Sequence, residues 1–549
     1  MKESLKILKG LLLVFIMVMM MPIIVNAETI DVSDSTALKN YLNNGGDIRL
    51  VEDITLTANT AVNNDLIIDL NGHTLSMSDK TLIVYSNLTI KDSTNSGSVV
   101  STGSWVMQAG GSGNTGNIIL ESGTIQGNGS YGISITAGSS MTVNGGRVLG
   151  KAYVIYNRGT FVINNGEVHA TNDLVIQNHV DAYLEINGGT IQTDADYQAI
   201  NLYGNCSATM NGGQILAPKC GTRYNGNGIA LFKNTNLVIN GGLISSCGTA
   251  VLGNGSVSGS SEGTNAKITV NGGQLISQDG LGIYAPQPNG ETIINGGVIT
   301  GRSGIEIRAG RLVVNGGTLN AIGDYEVRDV TSAASTLGAG ISVAQHTTKL
   351  PIEVIVNNGV YNGAVPFSYT NPLNNGPEDI AKISITIAGG TYNSESDKSV
   401  VILNDEKVIS GGLFTHDVID NVVPEYGTYT KTNMYAVGKI HNVEIDDKSS
   451  DAISVDKERT PNGDVVTVKP VNKSGYRTII EVIDENGNVV PVSNNKFIMP
   501  DGNVKIKVIY EKIMINPKTF TNATNIFIIF IIAIVFSGVI YYKKRKRFN

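Results

Sequence analysis

The octapeptide LEINGGTI at residues 184–191 returns in outline as LVINGGLI at 237–244 and ITVNGGQL at 268–275. In each copy, apolar residues stand one and three places before an Asn-Gly-Gly triplet and again two places after it. That is period-two alternation, the signature of a strand with one buried face. The triplet recurs at 144, 187, 211, 240, 271, 295 and 315, and variants such as Glu121-Ser122-Gly123, Asn164-Asn165-Gly166, Asn357-Asn358-Gly359, Ala388-Gly389-Gly390 and Ser410-Gly411-Gly412 fill the gaps. Start positions from 121 advance by 23, 20, 23, 24, 29, 31, 24, 20, 42, 31 and 22 residues, a period near 22 with insertions.

A third apolar segment precedes many triplets, as in Tyr131-Gly-Ile-Ser-Ile135, Tyr153-Val-Ile-Tyr156 and Gly304-Ile-Glu-Ile307, so each unit carries three short strands. Asn-Gly between strands is a strong hairpin signal, and an antiparallel meander is therefore the first rival architecture. It fails because every inward position matches its own counterpart one unit later, not a cross-strand neighbour. A parallel β-helix accommodates the pattern: identical positions stack from coil to coil, Asn side chains at the bend bond to one another, and Gly supplies the positive φ. Asp34 or Ser35 is placed to cap a helix over Thr36–Asn44, stopped by Gly45, which would cover the open end of the solenoid.

These coils, with Asp69-Leu70-Asn71-Gly72-His73-Thr74-Leu75 as an opening rung, resemble the pectate-lyase-like, right-handed parallel β-helix proteins over roughly residues 30–425. The resemblance implies an all-β solenoid. It implies no single activity, because the fold hosts lyases, hydrolases and non-catalytic adhesins. After about Gly438 the triplet disappears, and the order Gly475-Tyr476, Asn486-Gly487, Phe497-Ile-Met-Pro500 and an alternating strand at 504–510 resembles the small β-sandwich repeats of Gram-positive surface proteins.

The two ends read as export and attachment signals. Residues 1–27 combine Lys2, Lys6 and Lys9, an apolar run to Val25 and a small-residue site, giving a signal peptide cleaved between Ala27 and Glu28. Residues 526–542 form an apolar stretch followed by Lys543-Lys544-Arg545-Lys546-Arg547, which reads as a transmembrane helix with a cytoplasmic basic tail. Ahead of it, Asn516-Pro517-Lys518-Thr519-Phe520 resembles the sortase-type sorting signal of Gram-positive bacteria, with Asn516 and Phe520 departing from the usual Leu and Gly. The expected order is signal peptide 1–27, cap 28–48, β-helix 49–438, β-sandwich spacer 439–512, linker 513–525, transmembrane helix 526–542 and tail 543–549. Expected partners are the membrane, sortase and peptidoglycan, with display on the extracellular face of the membrane or wall.

Charged residues are only 16% of the chain and 41% are hydrophobic, which excludes disorder. Residues 28–517 hold 31 basic against 46 acidic side chains, a net of −15 that disfavours nucleic acid. No lyase or hydrolase residue set is recognised. Asp173, Asp181, Asp194 and Asp196 with His169 and His179 read as solvated turns, with a calcium site or carboxylate pair as the alternative. Arg302, Glu306, Arg308, Arg311 and Arg328 read as an exposed charge ladder. Tyr153, Tyr156, Tyr183, Tyr197, Tyr203 and Tyr224 crowd four successive coils and form the candidate ligand-binding face, since rings on a flat sheet stack on sugars. Three cysteines, Cys206, Cys220 and Cys247, allow one disulfide. Spacing does not decide the pair, and Cys220 with Cys247 is the favoured choice. The expectation is a non-catalytic adhesin or carbohydrate-binding display protein contacting host or microbial polysaccharide, with a polysaccharide lyase or glycoside hydrolase and a structural stalk as alternatives.

Overall fold

The computed structural model describes residues 29–129, 131–221, 226–254, 265–330 and 334–514. The signal-peptide site at Ala27 and Glu28, Tyr224, the pentapeptide Asn516 to Phe520, the apolar stretch 526–542 and the basic tail lie outside them. Among the described residues no helix is long and apolar enough to cross a membrane. The chain divides into two compact units, 1–438 and 439–549.

The first unit is a parallel β-helix of three long sheets. Sheet 1 contains the strands that end just before the triplets, from Ile30–Val32 and Gly46–Leu50 through Tyr183–Ile186 to Ile383–Ile387, fifteen in all. Sheet 2 follows the triplets, as in Thr190–Thr193 and Leu243–Ser246. Sheet 3 holds the third segment, fourteen strands such as Ile155–Asn157 and Ile200–Tyr203. Each strand pairs in parallel with its counterpart one coil away and in register, for example Leu184 with Ala208 and Ile186 with Met210. Fourteen steps of about 4.8 Å make sheet 1 roughly 67 Å deep along the stack.

Alternation explains the register. The residue before every triplet, among them Ile186, Ile239 and Val314, is 2% exposed or less, and so is the residue two after it, among them Ile191, Ile244 and Leu319. Every coil thereby adds buried aliphatic side chains from each sheet to one continuous core, each worth about 1.5–3 kcal/mol. In the last coils the inward position becomes aromatic: Tyr361, Tyr392 and Phe414 stack with centroids 4.7 and 4.5 Å apart. The Tyr361 and Tyr392 hydroxyls donate to Asn358 O at 2.7 Å and Gly389 O at 3.1 Å, which allows phenols inside an apolar core.

Both glycines of the triplet are needed, for different reasons. A Cβ on Gly188 would lie 2.4 Å from the Asn164 carbonyl oxygen of the preceding coil, closer than any side chain tolerates. Gly189 sits at φ +74°, the left-handed region. The Asn before them forms an unbroken ladder: Nδ2 of Asn357, Asn315, Asn295, Asn271, Asn240, Asn211, Asn187 and Asn164 each donates at 2.8–2.9 Å to the Asn Oδ1 one coil back. Asn144 ends the series by donating to Glu121 Oε1 at 2.9 Å. The carboxylate thus sits at the positive end of a row of aligned amide dipoles, as an acidic residue does at a helix N-terminus.

The ends are closed. A helix over Ser35–Asn44 is capped by Asp34, whose Oδ1 accepts from Thr36 N at 2.8 Å and Ala37 N at 3.0 Å. Gly45, at φ +79°, stops it, and Leu38 and Leu42 are fully buried against the first coil. The strand Ile30–Val32 ahead of this helix already belongs to sheet 1, so solenoid pairing begins earlier than residue 49. At the far end, part of the strand Met434–Ile445 pairs antiparallel with Gly412–Phe414 and covers that parallel edge. Cys220 and Cys247 on neighbouring coils form the disulfide, and Cys206 is a buried free thiol whose pKa burial pushes up to about 11. Cutting this link with Cys220→Ser is expected to lower unfolding stability by about 3.5 kcal/mol, the chain-entropy value for its 27-residue separation, measured by denaturant titration.

The second unit packs short strands around Val443, Val466, Val468, Val482, Phe497 and Ile506. Its longest pairing is antiparallel, Tyr476–Asp484 against Val504–Lys512. A hairpin turns at Glu485-Asn486-Gly487, with Asp484 Oδ1 accepting from Asn486 N and Asn488 N and Gly487 at φ +83°.

Candidate functional site

The outer surface of sheet 3 carries the densest array of binding-type side chains. Outward positions there stack in register: Gln108, Ser134, Tyr156, Gln177 and Asn201 on successive rungs, with His179, Tyr203 and Phe232 in the adjacent column. Because one coil advances about one strand spacing, rings on neighbouring rungs are brought into contact. Tyr131 stacks on Trp105 at 4.7 Å and Trp105 lies 6.0 Å from Tyr156. The row continues from Tyr156 to His179 at 5.8 Å, to Tyr203 at 5.0 Å and to Phe232 at 6.1 Å.

All six rings are partly exposed. The near-parallel pairs, at 21–25°, cover each other's faces and turn edges and polar atoms outward. The tilts of 58° between Trp105 and Tyr156 and 47° between Tyr203 and Phe232 leave ring faces less covered. Amides flank the row, with Asn201 Nδ2 donating to Gln177 Oε1 at 3.3 Å. Lys233 Nζ lies 4.6 Å above the Tyr203 ring. Burial, with Arg158 and Lys233 nearby, holds His179 below the ordinary histidine range, so its ring is a neutral donor and acceptor at physiological pH.

Of the six tyrosines singled out from the sequence, Tyr156 and Tyr203 lie within this row, and Tyr153 packs edge-on against Tyr131 at 5.5 Å from a left-handed backbone at φ +42°. Tyr183 stands on sheet 1, between Thr160 and Ser207. Tyr197 lines a separate depression of about 350 Å³ with Thr171, Asn172, Ala195, Asp196 and Lys219. Trp105, Tyr131, His179 and Phe232 complete the row. Their signal was present in the sequence as one ring per coil beside the sheet 3 strands, but it emerges only once that sheet's register is known.

Past Phe232 the same face is covered. Leu252 and Tyr284 continue the register and pack with Leu281, Ala334 and Leu337. The insertion after sheet 2, which carries the paired strands Glu326–Val327 and Thr336–Leu337, lies over them. Beneath it, Glu306 and Arg308 are fully buried, with Arg308 Nε 3.7 Å from Glu306 Oε1. Glu306 accepts from Ser335 N at 3.0 and 2.9 Å, Ser335 Oγ at 2.9 Å and Thr336 N at 3.2 Å, and Arg308 donates to Val330 O at 3.3 Å. The expectation of an exposed charge ladder is therefore wrong for these two residues: the insertion folds back onto their sheet and excludes water. It holds for Arg311, which bridges Glu291 and Glu353 at 2.8 Å each on sheet 1.

The aspartate and histidine group disperses. His169 pairs with Asp194 at 2.9 Å and Glu167 at 3.4 Å on sheet 2, Asp173 accepts from Leu174 N, and Asp181 occupies a left-handed turn. Among the described residues no group of three or more His, Cys, Asp or Glu is arranged to hold a metal ion. No family model, curated protein or solved structure matches the chain.

Proposed function

We propose that this chain is a surface-displayed, non-catalytic member of the pectate-lyase-like right-handed β-helix proteins that contacts extended polysaccharide along sheet 3. The observation that carries the reading is the row of six partly exposed rings, one per coil, flanked by amides. A glycan lying along the stack would meet a ring edge, hydroxyl or tilted face at every coil. Export and display are supported by the leader-like residues 1–27, and wall attachment by the order of Asn516 to Phe520, the apolar stretch and the basic tail.

The test is affinity electrophoresis of the full chain through gels containing soluble neutral or acidic polysaccharides. Trp105→Ala with Tyr156→Ala and Tyr203→Ala is expected to weaken retention tenfold or more, at about 0.5–1.5 kcal/mol per ring, with the circular dichroism spectrum unchanged. Retention of the triple variant equal to that of the parent would remove sheet 3 as the contact face. No retention of the parent by any polysaccharide would favour the structural stalk.

A further inference from the structure

The outer face of sheet 1 has a different character. Between Val238 and Ile355 its central outward column is β-branched throughout: Val238, Thr269, Ile293, Val313 and Ile355 stand in register. One flank is the Asn ladder. The other is a column whose charge alternates rung by rung, Lys267, Glu291, Arg311 and Glu353, with side chains 62, 28, 41 and 49% exposed.

We propose that this face pairs antiparallel with the same face of a second copy of the chain. The order plus, minus, plus, minus is its own complement when reversed. A two-fold axis lying in the contact plane between Glu291 and Arg311, perpendicular to the stack, sets Lys267 opposite Glu353 of the second copy and Glu291 opposite its Arg311. The same operation lays the β-branched column on itself, Ile293 over Val313, and the Asn column on itself, where each amide has an N–H beyond the one its ladder uses. A two-fold axis along the stack would instead place charges against amides. The alternation thus selects the antiparallel pair, an isologous contact. Five rungs of about 4.8 Å and strands of about 13 Å give a flat footprint of roughly 300 Å² per copy, which puts the contact in the weak, transient class.

The pairing rests on the fold alone. Its consequence rests on the display reading: antiparallel copies send their first coils in opposite directions, so copies on two facing surfaces would bridge them.

Sedimentation velocity of the full chain in detergent over a concentration series tests the proposal. The parent is expected to form a concentration-dependent dimer. Lys267→Glu with Arg311→Glu makes the column wholly acidic, and Glu291→Lys with Glu353→Lys makes it wholly basic. Each variant alone should associate at least roughly tenfold more weakly, and an equimolar mixture should recover association. Ile355→Lys, which leaves the four charges in place, should also weaken the dimer. A parent that stays monomeric throughout, variants that associate as the parent does, or a mixture that stays monomeric would each overturn the proposal.

Discussion

Ile239→Asp is expected to destabilise the solenoid by about 5 kcal/mol or more, because it removes a buried aliphatic side chain and leaves an unpaired carboxylate between two coils. Ile239 is 1% exposed, paired in register with Met210 on one side and Val270 on the other. No polar partner stands at those inward positions. Thr269→Asp places the same charge one residue from Val270 on the outward side of the next strand and should cost about 1 kcal/mol, a strand-propensity effect. Thermal unfolding of the two variants separates the cases. Equal shifts would overturn the inward and outward assignments of sheet 1, and a larger shift for Thr269→Asp would mean that they are exchanged.

The second large effect concerns the covered end of sheet 3. Glu306→Leu or Arg308→Leu alone is expected to cost about 3–5 kcal/mol, because each leaves its partner's charge buried and uncompensated. The double variant should recover most of that loss, since two apolar side chains of similar length suit a water-free site. The Glu306→Leu arm should also raise hydrogen exchange at Ser335 and Thr336, whose backbone N–H groups lose their acceptor. A double variant no more stable than the singles would mean that the pair holds the insertion through geometry specific to its hydrogen bonds.

What could be read from the residues followed from repetition. The triplet, the inward residues beside it and the cap at Asp34 are local signals, and in a solenoid a local signal repeated every coil is also the tertiary contact. This is why Ile186, Ile239 and Val314 were assignable to the core without a structure. The same logic failed where the period broke. Glu306 sits at an ordinary outward position of the sheet 3 strand Ile305–Ile307 and Arg308 just past its end, and nothing within that strand announces that residues around 335, one insertion later, fold back over them. The aromatic row was half legible for a related reason: tyrosine clustering fell on some of the coils that carry the row, but the three sheets divide the candidates. Tyr156 and Tyr203 share a face that Tyr183 does not, and Trp105 and Phe232 belong to it although they fall outside the cluster of tyrosines.

The ladder of asparagines also bears on how the protein ages. Asn followed by Gly is the dipeptide most open to spontaneous deamidation, in which the glycine amide nitrogen attacks the side-chain carbonyl carbon and ammonia leaves from Nδ2. In the solenoid both nitrogens are occupied by the preceding coil. Gly188 N donates to Ile163 O and Gly241 N to Met210 O, while Nδ2 of Asn187 and Asn240 is held by the previous asparagine. The attacking and leaving nitrogens are thus each held by the preceding coil as long as the coils stay stacked, and the repeat that would make an unfolded chain chemically short-lived is restrained in the folded one. Loss of ammonia from these positions becomes a clock that runs only when a coil opens.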